Sequence, residues 1–119
     1  MAFHLEFSAA AERDLELIFD HLFESYAGFG ERPDDAVEHA TARILEIRSA
    51  AGRILTAPRR GERHDDILPG LRHLALGRAI YWFEVDEGRE TVRVLGVFFG
   101  GQDHIRRMLA RLVEAPDRR

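Results

Sequence analysis

Near residue 58 the spacing of apolar residues changes from a helical period to a strand period. A chain that keeps the two periods in separate blocks folds as an α+β domain, with its helices gathered on a sheet. Before the change, Ala11, Leu15, Ile18, Leu22 and Tyr26 recur at intervals of three and four, and Phe19 and Phe23 widen the stripe. This predicts a helix that starts after Ser8, a good N-cap residue, and ends near Ala27, where Gly28-Phe29-Gly30 breaks it. Val37, Ala40, Ile44, Ile47, Ala51 and Leu55 form a second stripe that runs through Gly52. Pro33 and Asp34 open this helix, and Asp35 and Glu38 have the spacing of a capping box. Two helices joined by a short Gly-rich link make an antiparallel hairpin.

After a polar loop over 58–66, the spacing predicts strands over 71–76, 79–85 and 91–99. Gly77-Arg78 suits a two-residue type II′ turn with glycine first, and Asp86-Glu87-Gly88-Arg89 makes the next hairpin. Gly100-Gly101 ends the last strand. Asp103 then caps a final helix with Ile105, Met108, Leu109 and Leu112 inward, and Pro116 ends it, leaving 114–119 as a tail. At the other end, Phe3, Leu5 and Phe7 alternate with His4 and Glu6 as a short strand, which must join the sheet to avoid an unpaired edge. The predicted order is β-α-α-β-β-β-α: an antiparallel sheet with an N-terminal helical hairpin packed on one face, in a single domain over 1–119.

The 119 residues include 17 basic and 21 acidic side chains, a net charge of −4, with no cysteine. Every basic residue is arginine. Disulfides, thiolate sites, Schiff-base chemistry and a lysine general base are excluded. The charge is unlike that of a general nucleic-acid binder. The missing lysine fits a G+C-rich coding sequence and says little about mechanism. Charge is also unevenly spread: residues 1–52 sum to −7 and residues 53–119 to +3. Either acidic helices neutralise a basic sheet internally, or the arginine-bearing half faces a partner. No apolar run approaches the roughly 18 residues of a membrane span, and MAFHLEF lacks the basic start of a signal peptide. The chain reads as soluble and cytoplasmic.

No P-loop, dinucleotide fingerprint or GxSxG elbow is present. Six histidines occur, at positions 4, 21, 39, 64, 73 and 104, and none has a helical i, i+4 partner; the nearest two are nine residues apart. No metal site and no cofactor are expected from that spacing. An RNase acting through 2′-OH attack needs a base, an acid and a cation. Arg72, His73, Arg78, Tyr81 and His104 are the candidates, against the alternative that Tyr81 faces the core and His104 belongs to a helix turn. Arg59, Arg60, Arg63 and Arg93, with Arg106 and Arg107 on the final helix, suit phosphate or carboxylate partners. The alternative is a set of solvated arginines paired with nearby acids. Phe19 and Phe23 either anchor a partner or complete the core.

Several motifs occur in a recognisable order: Leu55, Pro58 and Gly61 after the second helix, then Pro69-Gly70-Leu71-Arg72, Gly77-Arg78, and a Tyr-containing strand leading to Val85-Asp86. The chain thus resembles the RelE/ParE superfamily of toxins from type II toxin–antitoxin systems along almost its whole length. The resemblance implies the same β-α-α-β-β-β-α fold and neutralisation by a cognate antitoxin. It offers two activities: ribosome-dependent mRNA cleavage in RelE-like members, and inhibition of DNA gyrase in ParE-like members. The acidic net charge and long helical hairpin favour the ParE-like branch, with no specific DNA binding except through the antitoxin. The alternatives are a RelE-like mRNA endonuclease and an inert relative that only binds an antitoxin. No nuclease residue set transfers from the family position by position.

Overall fold

The Ser8 hydroxyl accepts a hydrogen bond from the Ala11 N–H at 3.0 Å, and the first helix starts there. In the computed structural model, residues 2–100 and 103–114 are described. Strand β1 (His4–Phe7) leads into α1 (Ala9–Gly28), and α2 (Pro33–Ala50) returns against it. Strands β2 (Glu62–Arg63), β3 (Leu71–Leu76), β4 (Ala79–Asp86) and β5 (Thr91–Phe99) follow, then α3 (His104–Glu114). The α+β class and the order of the long elements are as the periodicity predicts. Gly101 and residues 115–119, which include Pro116, lie outside the described residues.

Several local expectations change. Helix α2 begins at Pro33 with Arg32 as N-cap and no side-chain cap, so Asp35 and Glu38 form no capping box. Its buried stripe starts at Ala36, fully buried, while Val37 turns outward. A 3₁₀ turn over Ala51–Thr56 then carries Ala51 and Ile54 into the core. The polar loop contains the short strand β2, paired antiparallel with β3. The sheet order is β1-β5-β4-β3-β2, antiparallel except for β1, which joins β5 in parallel. Finally, α3 buries Met108 and part of Leu112, while Ile105 and Leu109 face away.

The β3–β4 hairpin pairs Leu76 with Ala79 across Gly77-Arg78. Only Gly77 has positive φ, at 63°, as a type II′ turn requires of its first central residue.

Alternation sorts the sheet's side chains onto two faces. Tyr81, Phe83, Val92, Val94 and Val97 meet the helical hairpin. Leu71, Trp82, Leu95 and Phe98 lie on the other face under Met108 of α3. Between Trp82 and Phe83 the β5 register slips, with Gly96 opposite Trp82 and Val94 opposite Phe83, so Leu95 is the extra residue of a bulge.

Beyond Val94, β5 has outrun β1 and its edge groups need other partners. The Val97 N–H donates to Asp14 Oδ2 at 2.9 Å. The Leu95 carbonyl accepts from Ser8 Oγ at 3.4 Å and from Arg111 Nη1 at 3.1 Å. Arg111 also holds Asp14 with both guanidinium nitrogens, at 2.9 and 2.8 Å. Helices from opposite faces therefore meet around one sheet edge. Gly96 leaves room for this crossing, since a Cβ there would stand 2.9 Å from Arg111 Nη1.

The Asp14 side chain is 8% exposed. Its removal leaves the Arg111 guanidinium without its counter-ion and the Val97 N–H unpaired, so Asp14→Ala is expected to cost about 3 kcal/mol. The half-exposed Glu12–Arg48 pair is the control, and Glu12→Ala should cost at most about 1 kcal/mol. Urea unfolding midpoints of the two variants check this; equal losses would remove Asp14 from its role.

Candidate functional site

Strand alternation puts Glu62 and His64, two residues apart, on the same side of the chain, and the register sets His73 directly opposite Glu62. Gly61, at φ 94°, makes the approach possible, because a Cβ there would stand 2.4 Å from the His73 carbonyl oxygen. His64 is buried, and its Nε2 lies 2.8 Å from His73 Nδ1 and 3.8 Å from Glu62 Oε2. Two facing imidazole nitrogens at that distance share one proton.

Trp82, fully buried and paired with His73 across β3–β4, forms the floor. Its ring centre lies 4.7 Å from that of His64 and 4.8 Å from that of His73. From the first turn of α3, His104 accepts a hydrogen bond on Nδ1 from Trp82 Nε1 at 3.1 Å and meets His73 edge-on. When neutral, His104 therefore carries its proton on Nε2. Burial pushes His73 below the usual histidine range, and its neighbours His104 and His64 add to this against the opposing pull of Glu62. Burial lowers His104 as well, with His64 adding and Glu62 opposing. The cluster can therefore move a proton between imidazoles or offer neutral nitrogens to an electrophile.

The five predicted nuclease residues do not converge. His73 and His104 belong to this cluster. Tyr81 projects to the other face, 1% exposed, and its hydroxyl donates to the Ile47 carbonyl at 2.6 Å. Burial raises it to about 12, away from any role as an acid near neutrality. Arg72 shares the Tyr81 face and donates to the Arg59 carbonyl at 2.6 Å. Arg78 stands in the β3–β4 turn with its guanidinium 5.1 Å from the Phe99 ring centre. The reading of the residues missed Glu62, His64 and Trp82. The available signal was the nine-residue interval between His64 and His73, which only a hairpin register turns into a contact.

The predicted partner residues are mostly engaged within the chain. Phe19 and Phe23 are partly buried against the main core. Arg59 pairs with Glu87 at 2.6 Å, Arg63 with Asp65 at 2.6 Å, Arg93 with Glu6 at 2.9 Å and Arg106 with Asp103 at 3.2 Å. Arg107 lies over Phe98, and Arg60 is exposed. Among the described residues, the large apolar side chains open to solvent are others: Leu17, Phe29, Val37 and Leu45 on or beside the hairpin, and Ile105, Leu109 and Val113 on α3.

Because folding lowers the His73 and His104 pKa values, the unfolded chain binds more protons below its own histidine pKa of about 6.5. Stability is then complete above that pH and lost as pH falls through the lower folded values. The melting temperature should drop between about pH 7 and pH 5.5, and His73→Gln should flatten that slope. Thermal melts of both proteins across this range check the prediction; an unchanged slope in the variant would refute it.

By sequence, no protein-family model and no curated protein matches the chain. Solved structures do match it. A chain of the chromosomal ParDE TA system from P. aeruginosa aligns at 20% identity and TM-score 0.61, covering 84% of this chain and 98% of its own. A mutant of the E. coli toxin RelE in the free state aligns at 15% identity and TM-score 0.54, covering 96% of this chain and 97% of its own. A chain of the RelBE2 toxin–antitoxin complex from Mycobacterium tuberculosis aligns at 20% identity and TM-score 0.50, covering 83% and 99%. The chain therefore shares the fold of these structures, which is the fold its resemblance implied.

Proposed function

We propose that this chain is the toxin of a type II toxin–antitoxin pair, that it acts by inhibiting DNA gyrase, and that a cognate antitoxin neutralises it. The observation that carries the non-nuclease reading is the separation of the candidate catalytic groups. Tyr81 is buried with its hydroxyl committed to Ile47, and Arg72 and Arg78 lie away from His73 and His104. A phosphorane needs base, acid and cation around one phosphate, and this set offers them on two faces. The net charge of −4 agrees, since mRNA held on a ribosome favours a basic surface. In this reading the antitoxin rests on the open apolar residues of the hairpin and α3, beside the exposed arginines, rather than on Phe19 and Phe23. A cytoplasmic location follows from the proposed targets, and no helix among the described residues is long and apolar enough to cross a membrane.

A second reading, ribosome-dependent mRNA cleavage, is supported by one observation: three histidines gather at one end of the sheet. Purified chain should block gyrase supercoiling and leave mRNA on programmed ribosomes intact. Tyr81→Phe should lower stability by about 1 kcal/mol through the lost hydrogen bond and keep gyrase inhibition. Ribosomal cleavage that disappears in His104→Ala would replace the gyrase reading with the nuclease one. Expression without growth arrest would leave an inert antitoxin-binding relative.

A further inference from the structure

We propose that Glu62, His64 and His73 form a binding site for a divalent transition metal ion, with zinc the best match, and that the ion clips the edge strand β2 onto β3. The donor set is two imidazole nitrogens and one carboxylate, a combination that binds zinc with an open fourth position. One ligand atom from each residue lies within 4.8 Å of the others. Tetrahedral zinc with bonds of about 2.0–2.2 Å separates its ligand atoms by about 3.3–3.5 Å. The His64–His73 nitrogens, at 2.8 Å, have to open by about half an ångström, and Glu62, at 3.8 Å from His64, has to close by a similar amount. Glu62 has the freedom to do so, because its side chain is 65% exposed.

The backbone holds the two histidines ready. The His64 N–H donates to the Leu71 carbonyl at 2.8 Å, and the His64 carbonyl accepts from the Ile67 and Leu68 N–H groups at 2.9 and 3.1 Å. His73 lies inside β3, paired on one side with Glu62 and on the other with Trp82. The Trp82 ring lies against both imidazoles and keeps water from one side of the site. Strand β2 has only two residues, so one clip there has a large effect on the loop it anchors. The site has no helical i, i+4 signature. It arises from an i, i+2 pair on an edge strand and the residue facing it across a hairpin register.

The experiment uses the full chain without a purification tag, stripped with a chelator, and titrated with Co²⁺ and Zn²⁺ at pH 7.5. Trp82 is the only tryptophan, so its emission reports occupancy directly. We expect saturable quenching by Co²⁺ at a one-to-one ratio with Kd below about 100 µM, reversal by Zn²⁺, and a rise in melting temperature with Zn²⁺. Glu62→Gln should weaken Co²⁺ binding at least about tenfold, and His73→Gln at least as much. Quenching that does not saturate below about 100 µM, or an affinity unchanged in Glu62→Gln, would overturn the proposal and leave a hydrogen-bonded histidine pair. Glu62 is exposed, so its variant keeps the test decisive even if His73→Gln fails to fold.

Discussion

The carboxylate of Asp14 is the point on which this architecture turns. Strand β5 is longer than its neighbour β1, and a sheet edge with unpaired backbone groups is costly when covered by helices. Asp14 receives the Val97 N–H and the Arg111 fork together, while Ser8 and Arg111 serve the Leu95 carbonyl. One buried ion pair therefore completes the sheet edge, seats α1 on one face and ties α3 to the other. It also joins the acidic front half to the arginine-bearing back half, as does Glu6 with Arg93. Part of the charge asymmetry is thus spent inside the fold, and the remainder lies on the surface.

Strand alternation then decides which chemistry is available. Tyr81 and Trp82 are adjacent in sequence and occupy opposite sides of the sheet, one in the hairpin core and one beneath α3. Residues that look like a catalytic set along the chain are separated by the thickness of a sheet. The same alternation gathers Glu62, His64 and His73 from two strands, together with the indole of Trp82. Charge on His73 and His104 is disfavoured for a local reason: burial, with like groups close by.

The long elements were legible because their apolar residues repeat over three or more turns or along whole strands. The α1 stripe, the Ser8 cap and the Gly77 turn could be read directly, since each rests on local stereochemistry. The α2 stripe was read one residue off, because Ala36 and Val37 are both apolar and only tertiary packing selects the smaller one for burial. The inward face of α3 was overestimated for a related reason. Its amphipathic pattern was clear, but the sheet offers it only a narrow apolar strip around Trp82 and Phe98. Strand β2 was hidden inside PRRGERHDD, whose polar composition reads as loop. What pairs it is the left-handed Gly61 and the backbone of His73, a long-range contact with no periodic signature. The histidine cluster depends on that pairing, and so it was hidden with it.

Helix α3 shows how these pieces act together. Three points hold it: His104 through the Trp82 indole, Met108 in the apolar strip, and Arg111 through Asp14. Two of the three are polar and stand at opposite ends of the helix. With Ile105, Leu109 and Val113 uncovered, apolar burial on the sheet contributes little beyond Met108 and Leu112, so the polar anchors set the position of α3. The first anchor belongs to the same aromatic and imidazole cluster as His73, which connects β2, the edge strand, to the start of α3. Any event that charges or ligates those imidazoles acts on both the edge strand and the helix, whereas the Asp14–Arg111 clamp at the other end contains no histidine. The two ends of α3 are therefore held by different chemistry, and the end nearest the histidines is the one that responds as pH falls below the usual histidine range.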